Sequence, residues 1–152
     1  MTMGHTYSNL LIHVIFGTKD RRPLILRPHA ERLYAYMAGI AREEFGWAIK
    51  IGGMPDHLHA LLRIGTDMSV GQAVSKFKSL SSGWAHKTIP DLRDLFWQVG
   101  YGAFSVSKSN VSSVVNYIER QEEHHKVRTF QEEFIAFLQR HGVHYDPEHV
   151  WD

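Results

Sequence analysis

The sequence predicts an α+β fold in which one antiparallel sheet carries two crossover helices, with further helices at the C-terminal end. Strand-like apolar runs alternate along the chain with segments whose apolar residues recur every three to four positions. These segments follow the order β-α-β-β-α-β-α-α, and no repeat, low-complexity tract or linker interrupts them. Residues 1–152 are therefore expected to form a single domain.

The first half of the chain predicts three strands and one helix. Tyr7–Thr18 is dense in Leu, Ile, Val and Phe, which is typical of a strand. A helix is expected from about Pro28, since proline is tolerated in the first turn, to near Gly46. Trp47–Gly53 and His57–Ile64 read as strands, and the GMPD turn between them predicts a hairpin.

The next segment predicts a second helix and a fourth strand. Ser69 and Gln72 form a capping-box pattern, and an apolar stripe continues from there to Trp84. After a loop, the sequence AFSVS alternates large and small residues, so a half-buried strand with Phe104 and Val106 facing inward is expected.

Two helices are expected at the C-terminal end. Asn110 is predicted to cap a third helix, Val111–Glu123, and Thr129 with Glu132 repeats the capping box before a final helix. Right-handed crossovers around one antiparallel sheet give this order the split βαβ, ferredoxin-like arrangement, the topology of many RNA-recognition modules.

Composition excludes several classes of protein. Cysteine is absent, so any metal must be held by histidine, carboxylate, amide or solvent ligands rather than by thiolates. The chain has no run of about 18 apolar residues, and its N-terminus lacks the order of a secretory signal. A soluble, cytoplasmic protein without a membrane partner is expected.

The charge is unevenly distributed along the chain. The net charge is +1, which argues against a protein that coats nucleic acid by electrostatics alone. Residues 1–100 hold 12 Lys and Arg against 8 Asp and Glu, whereas residues 101–152 hold 5 against 8. The basic side chains concentrate in the first part, at Lys19, Arg21, Arg22, Arg27, Lys76 and Lys78.

Two histidines lie one residue apart in the segment MPDHLHALLRI. Because side chains alternate across a strand, His57 and His59 point to the same face, with Cα atoms about 7 Å apart. Two such imidazoles can converge on one cation. The pattern alone is equally compatible with surface histidines or with hydrogen-bonded core residues.

The third helix has a polar edge beside its apolar stripe. Tyr117 lies about 110° from the centre of that stripe, and Gln121 and Asn110 share its flank. The edge is suited to a reactive phenol, but a half-buried tyrosine with its hydroxyl in water would show the same pattern.

Five segments together resemble a known family. HVIFGTKDRRP, MPDHLHALL, KFKSLSS, WQVGYGAFSVS and VVNYIERQ are similar, in this order, to motifs of the single-tyrosine HUH transposases. These are the TnpA-type, IS200-like group of enzymes from insertion sequences that move as single-stranded DNA. The resemblance covers about residues 7 to 125, and the segment beyond Lys126 carries no motif of the family.

The resemblance implies a metal-dependent enzyme. It makes His57 and His59 metal ligands, Tyr117 the nucleophile, and Gln121 the residue that completes the metal site, with Mg²⁺ or Mn²⁺ as the cation. Cleavage and rejoining of single-stranded DNA at hairpin-marked ends through a covalent 5′-phosphotyrosine would follow. The resemblance also implies a homodimer in which the tyrosine helix of one chain serves the histidines of the other, and the polar SKSN connection, Ser107–Asn110, suits such an exchange.

Further residues are candidates for secondary roles. Arg21 and Arg22 are expected to contact the DNA backbone, and Lys76, Lys78, Ser81 and Ser82 to contact phosphates, although a solvated helix face would look the same. Trp97, Tyr101 and Phe104 are candidates for stacking on unpaired bases, although at least two of the three are expected to be core residues. His13 and Asn110 are candidates to hydrogen-bond the metal ligands and so fix their orientation. His124 and His125 are expected to lie at a helix end.

Two other interpretations remain open. One is a domesticated relative that acts on repeated palindromes with the same chemistry. The other is a non-catalytic nucleic-acid-binding module of the same fold, against which the combination of two histidines, a tyrosine and a glutamine argues.

Overall fold

The computed structural model describes residues 4–151. The strands are β1 (Leu10–Gly17), β2 (Gly46–Met54), β3 (His57–Ile64) and β4 (Gly102–Ser105). The helices are α1 (Arg27–Glu44), α2 (Val70–Thr88), α3 (Val111–Glu119), α4 (Gln121–His124) and α5 (Phe130–Arg140). None of the helices in the described residues is long and apolar enough to cross a membrane.

The four strands form one antiparallel sheet in the order β2-β3-β1-β4. With α1 and α2 as the crossovers, this order confirms the predicted ferredoxin-like, split βαβ topology. The β2–β3 hairpin also forms as expected, with Pro55 and Asp56 in its turn.

The sheet is covered on both faces, which separates two cores. The even-numbered residues of β1 and β3, such as Val14, Phe16, Leu58 and Leu62, pack with α1 and α2 in the main hydrophobic cluster. Leu11, Ile15 and Leu61 belong instead to clusters built with α3 and α5, and the histidines of both strands share this second face. Because side chains alternate across a strand, His13, His57 and His59 all point toward the face that the C-terminal helices cover.

Both predicted capping boxes are present. Ser69 accepts from the backbone of Gln72 at the start of α2, and Thr129 accepts from the backbone of Glu132 at the start of α5. In each pair the second side chain returns the hydrogen bond, so four helix-end backbone N–H groups in total are satisfied.

The differences from the predictions include two element boundaries and one helix cap. The first strand is Leu10–Gly17, shorter than Tyr7–Thr18, since pairing with β3 begins only at Leu10. The third helix ends at Glu119, because Arg120 has φ −101° and ψ 28°, outside the helical range. The Asn110 side chain forms no capping hydrogen bond, because Asn110 ends a 3₁₀ turn and does not adopt the extended backbone typical of an N-cap.

A glycine places the third helix close to the sheet. A Cβ atom at Gly52 of β2 would lie 2.8 Å from Ile118 Cγ2 and 2.9 Å from the Ile118 carbonyl oxygen. Only glycine therefore lets α3 lie directly on β2. This contact holds Tyr117, the residue before Ile118, over the face that carries the histidines.

Candidate functional site

The two predicted histidines lie side by side on the second face of the sheet. His57 and His59 are fully buried, and their ring centroids are 5.3 Å apart. His13 of β1 lies diagonally opposite His59, since His59 pairs with Ile15, and its Nε2 is 2.9 Å from His59 Nδ1. His13 therefore lies beside a candidate ligand, and its role in supporting that ligand stays a prediction.

A carboxylate that the sequence did not single out occupies the centre of this cluster. Oε1 of Glu133, from α5, lies 2.9 Å from His59 Nε2, 3.4 Å from His57 Nε2 and 3.3 Å from His125 Nε2. The side chain of Glu133 is fully buried. Three imidazole nitrogens therefore converge on one buried carboxylate oxygen.

Gln121 completes the same cluster from α4. Its Oε1 is 3.0 Å from His57 Nε2 and 3.2 Å from His125 Nε2, and its amide nitrogen donates to Glu133 Oε2 at 3.3 Å. The break after α3 does not remove Gln121 from the neighbourhood of Tyr117, because the Gln121 amide also reaches the Tyr117 carbonyl at 3.4 Å.

Tyr117 reaches this cluster with its hydroxyl. The Tyr117 hydroxyl donates to Glu133 Oε2, and the Tyr117 ring centroid is 5.7 Å from that of His59. The half-buried ring stacks on His124 at 4.3 Å. The phenol thus lies against the histidines of its own chain. An active site in which Tyr117 of one subunit acts with the histidines of another stays a prediction.

The surroundings shift the pKa values of these groups. Burial and the adjacent Glu133 carboxylate raise the pKa of Tyr117 above its ordinary value. Burial alone would lower the pKa of His57, but hydrogen bonds to Asp56 and Glu133 outweigh it and raise the pKa to about 9. Burial lowers the pKa of His13 to about 3 and also lowers that of His59, while hydrogen bonds from histidines keep the Glu133 carboxyl ionised.

The cluster can hold a metal ion. His57, His125 and Glu133 each offer one ligand atom, and these atoms all lie within 4.8 Å of one another. The nitrogens of imidazole and the oxygens of carboxylate and amide are ligands that Mn²⁺ accepts, and the carboxylate oxygen also suits Mg²⁺.

Two groups of this site were not predicted from the sequence: Glu133 and the pair His124 and His125. His124 and His125 do lie at the end of α4, but their rings turn inward, onto Tyr117 and His57. The expectation of a simple helix end is corrected accordingly. Glu133 carried a signal that could have identified it: it is a carboxylate in the stripe of buried residues that α5 turns inward, where an unpaired charge would be costly.

The predicted arginine contacts lie on the surface. Arg21 and Arg22 are exposed, and the Arg21 guanidinium is 5.8 Å from the ring centroid of Trp151. Asp20 and Arg21 both have a left-handed backbone, with φ 57° and 56°. The two arginines are accessible, and their contact with DNA stays a prediction.

The lysines of the predicted phosphate contact have different surroundings. Lys76 is exposed and pairs with Glu44 at 3.3 Å. Lys78 is partly buried, and its Nζ donates to the carbonyls of Gln98 at 2.7 Å and Gly100 at 2.9 Å, which ties down the loop before β4. Burial lowers the pKa of Lys78 to about 8.

The two serines differ in accessibility. Ser81 is fully buried, accepts from Trp97 Nε1 at 3.0 Å and donates to the Lys78 carbonyl, so the expected phosphate contact of Ser81 is corrected to a structural role. Ser82 is only half-buried, and its hydroxyl donates to the Lys78 carbonyl at 3.1 Å.

The aromatic candidates for base stacking also separate. The half-buried Trp97 packs its ring against Phe16, and Phe104 is buried against Phe137 but also lines a cavity beside Tyr117. Tyr101 is exposed beside Lys78. The exposed Asn110 lines a cavity together with Tyr117 and His13, and its expected support of a metal ligand stays a prediction.

Comparisons with known proteins identify relatives along most of the chain. A family model described as "Transposase IS200 like" matches residues 6–121. The transposase for insertion sequence element IS200 of Salmonella typhimurium is 29% identical over 135 residues, covering 83% of this chain and 86% of the relative. The ISDra2 transposase TnpA of Deinococcus radiodurans is 26% identical over 123 residues, covering 78% and 87%.

Solved structures share the fold. A crystal structure of a candidate transposase from Deinococcus radiodurans R1 aligns with a TM-score of 0.64 at 25% identity, covering 80% of this chain and 98% of that one. A REP-associated tyrosine transposase bound to a REP hairpin aligns with a TM-score of 0.56 at 17% identity, covering 82% and 74%. The family match stops at residue 121, so α5 and Glu133 lie beyond it.

Proposed function

The chain belongs to the family of IS200-like transposases, and we propose that it cleaves and rejoins single-stranded DNA at hairpin-marked ends. Transposases cleave DNA and transfer its strands, so the enzyme class follows from the family. The single-stranded substrate, the hairpin and the covalent intermediate are the proposed part. One observation carries it: the Tyr117 hydroxyl donates to Glu133, the buried carboxylate that His57, His59 and Gln121 also contact.

We propose that this cluster holds Mg²⁺ or Mn²⁺. The neighbouring ligand atoms are 2.9 to 3.4 Å apart, and adjacent ligands in an octahedral shell of roughly 2.1 Å radius are separated by about 3 Å. His57, His125 and Glu133, whose ligand atoms lie within 4.8 Å of one another, fit such an ion. Gln121, 3.0 Å from His57 Nε2, and His59, 2.9 Å from Glu133 Oε1 but outside that group of three, are the further residues that would hold it. When bound, such an ion would polarise an oxygen of the scissile phosphate.

Tyr117 would act as the nucleophile. Its oxygen attacks phosphorus and forms a phosphotyrosine bond, while the bond from phosphorus to the 3′ oxygen breaks and that oxygen takes a proton from solvent. The raised pKa of Tyr117 keeps the phenol protonated at neutral pH, so an acceptor for its proton is required. Glu133 Oε2 already accepts that hydrogen bond and would orient the phenol; because hydrogen bonds from the histidines keep the Glu133 carboxyl ionised, water at the site is the proposed acceptor of the proton.

His13 would fix the orientation of His59. If His59 Nε2 is a ligand, its Nδ1 must carry the proton, and that proton points at His13 Nε2, 2.9 Å away. The low pKa of His13 suits this role, because a neutral imidazole can accept the bond. His13 would then hold one tautomer and one ring position of His59.

We also propose that two chains associate, with exchange of the tyrosine helix. The support is local: the residues of the Ser107–Asn110 connection before α3 are exposed, and they join α3 to the edge strand β4. A two-fold dimer is the commonest oligomer of soluble proteins.

An adduct experiment tests the proposed reaction. The protein is incubated with Mn²⁺ and single-stranded hairpin DNA labelled on one side of the cleavage position. We expect an SDS-stable protein–DNA adduct that carries the label on the 3′ side of the nick and releases a free 3′-hydroxyl. Cleavage without an adduct, or an adduct that carries the opposite label, would overturn the proposal.

A further inference from the structure

A cavity lined in part by Tyr117 lies beside the metal-capable cluster. Its volume is about 420 Å³, within the range of roughly 300 to 1,000 Å³ typical of small-molecule sites. Tyr117 and His13 belong to its wall and also contact the residues around Glu133. The cavity and the proposed cleavage centre are therefore neighbours that share one tyrosine.

One face of α5 forms both sites. Glu133 lies in the cluster, while Phe137, Arg140 and His141 line the cavity. These residues are spaced at i, i+4, i+7 and i+8, which places them on one side of the helix. His141, the last of them, directly follows the end of α5. Residues beyond the family match, which ends at residue 121, thus form part of the cavity wall.

The lining of the cavity combines aromatic faces with positive charge. The rings of Phe104 and His141 are 4.4 Å apart, and those of Phe137 and His141 are stacked at 5.9 Å. The Arg140 guanidinium lies 5.2 Å from the Phe137 ring centroid. The described lining also includes Ser105, Asn110 and Ser113 as hydrogen-bonding groups, and it contains no carboxylate.

We propose that this cavity binds the nucleobase next to the scissile phosphate. The inference rests on the proposed single-strand cleavage by Tyr117. A base offers a flat π-face for the aromatic lining and polar edges for Asn110 and Ser113, and Arg140 suits the adjoining phosphate. A strand whose phosphate lies at the Tyr117 hydroxyl has its neighbouring base within reach of a cavity that begins at the Tyr117 ring.

Other occupants fit the lining less well. A cation would meet Arg140 and two histidines without a compensating acidic group in the described lining. A wholly apolar molecule would leave the same polar groups unsatisfied. The base of a nucleotide uses both kinds of surface.

A fluorescent base analogue tests the occupant directly. Hairpin oligonucleotides carry 2-aminopurine at one unpaired position each, and fluorescence is read in excess chelator so that binding is observed without cleavage. Quenching is expected at one position, which the Mn²⁺ reaction should then show to be adjacent to the cleaved bond. If every unpaired position behaves alike, or if the quenched base is remote from that bond, the inference is wrong.

A pair of neighbouring serines supplies the matched variants. Ser113 lines the cavity, whereas Ser112, also exposed, does not, so Ser113→Trp fills the cavity and Ser112→Trp adds the same side chain outside it. Quenching should be lost in the first variant and kept in the second. Equal behaviour of the two variants would overturn the proposal, provided that both bind Mn²⁺ like the unaltered protein.

An affinity measurement supports the same point. Removing the base at the quenched position, to leave an abasic site, should weaken binding of the unaltered protein roughly tenfold. The loss should shrink in Ser113→Trp, which fills the cavity, but not in Ser112→Trp, which leaves it open. If removal of the base weakens binding but no adduct forms in the Mn²⁺ reaction, the cleavage proposal fails while the proposed base-binding cavity is supported. If no oligonucleotide binds, the inference fails, since its occupant is part of that DNA.

Discussion

The Tyr117 hydroxyl donates a hydrogen bond to Oε2 of Glu133, while Oε1 of the same carboxylate faces His57, His59 and His125. One buried side chain therefore joins the candidate nucleophile to the candidate metal ligands. Removing its charge should disturb both groups, and this leads to the first prediction.

Glu133→Gln should weaken Mn²⁺ binding by roughly 10- to 100-fold, because an amide replaces the single carboxylate among neutral ligands. Isothermal titration with Mn²⁺ measures the change. Glu132→Gln is the matched control, since Glu132 is exposed and its side chain serves the capping box. Equal Mn²⁺ affinity in the two variants would show that Glu133 is not a ligand.

Mn²⁺ affinity should rise with pH. The pKa of His57 in the metal-free protein is raised to about 9, so at neutral pH a proton must leave this imidazole before its nitrogen can bind an ion. The dissociation constant should fall about tenfold per pH unit below pH 9 and level off above it. Titrations across this range, with about one proton released per ion, check the prediction. A plateau that begins near 6.5, the ordinary value for histidine, would contradict it.

The fold was largely predictable because its signals are local. Period-two apolar runs, two capping boxes and a Pro-containing hairpin turn each depend on neighbouring residues, and the crossover rule then leaves few topologies. The break at Arg120 was not predictable, because neither proline nor glycine marks the end of α3 and only the φ and ψ angles of Arg120 reveal it.

The candidate site was only half predictable for a related reason. His57 and His59 lie two positions apart on one strand, and Tyr117 and Gln121 lie four positions apart, about one helical turn. The proximity of the two residues within each pair can therefore be predicted from the sequence. Glu133 reaches them only through the packing of α5 on the sheet, 74 residues along the chain from His59. Ser81 showed the opposite error, since a hydroxyl on a helix suggested a phosphate contact before its burial against Trp97 was known.

His57→Ala and His59→Ala should each remove most DNA cleavage, and excess EDTA should reproduce the loss in the unaltered protein. Each substitution deletes a nitrogen from the cluster around Glu133. Cleavage rates on a labelled hairpin oligonucleotide are the measurement, and His144→Ala, at an exposed position, is the control. Full activity in EDTA would exclude the proposed role of the cation.

Mixed dimers should recover cleavage if two chains share their sites. When Tyr117→Phe chains are combined with His57→Ala chains, exchange of the tyrosine helix leaves one doubly altered site and one intact site in each heterodimer. Sites that form within one chain would each keep a defect, and the mixture would stay inactive. Heterodimers are first verified by mass or by tag pull-down. Verified heterodimers without cleavage would eliminate the shared arrangement.

The most direct test of the account is the Tyr117→Phe variant, which removes one oxygen and keeps the ring that stacks on His124. Adduct formation with labelled hairpin DNA and Mn²⁺ is measured beside hairpin affinity, with Tyr36→Phe as a control on the distant α1–α2 face, where Tyr36 stacks on Trp84. We expect the SDS-stable adduct to disappear in Tyr117→Phe and to persist in Tyr36→Phe, with hairpin binding nearly unchanged in both. A Tyr117→Phe protein that still forms the adduct would contradict the assignment of Tyr117 as the nucleophile.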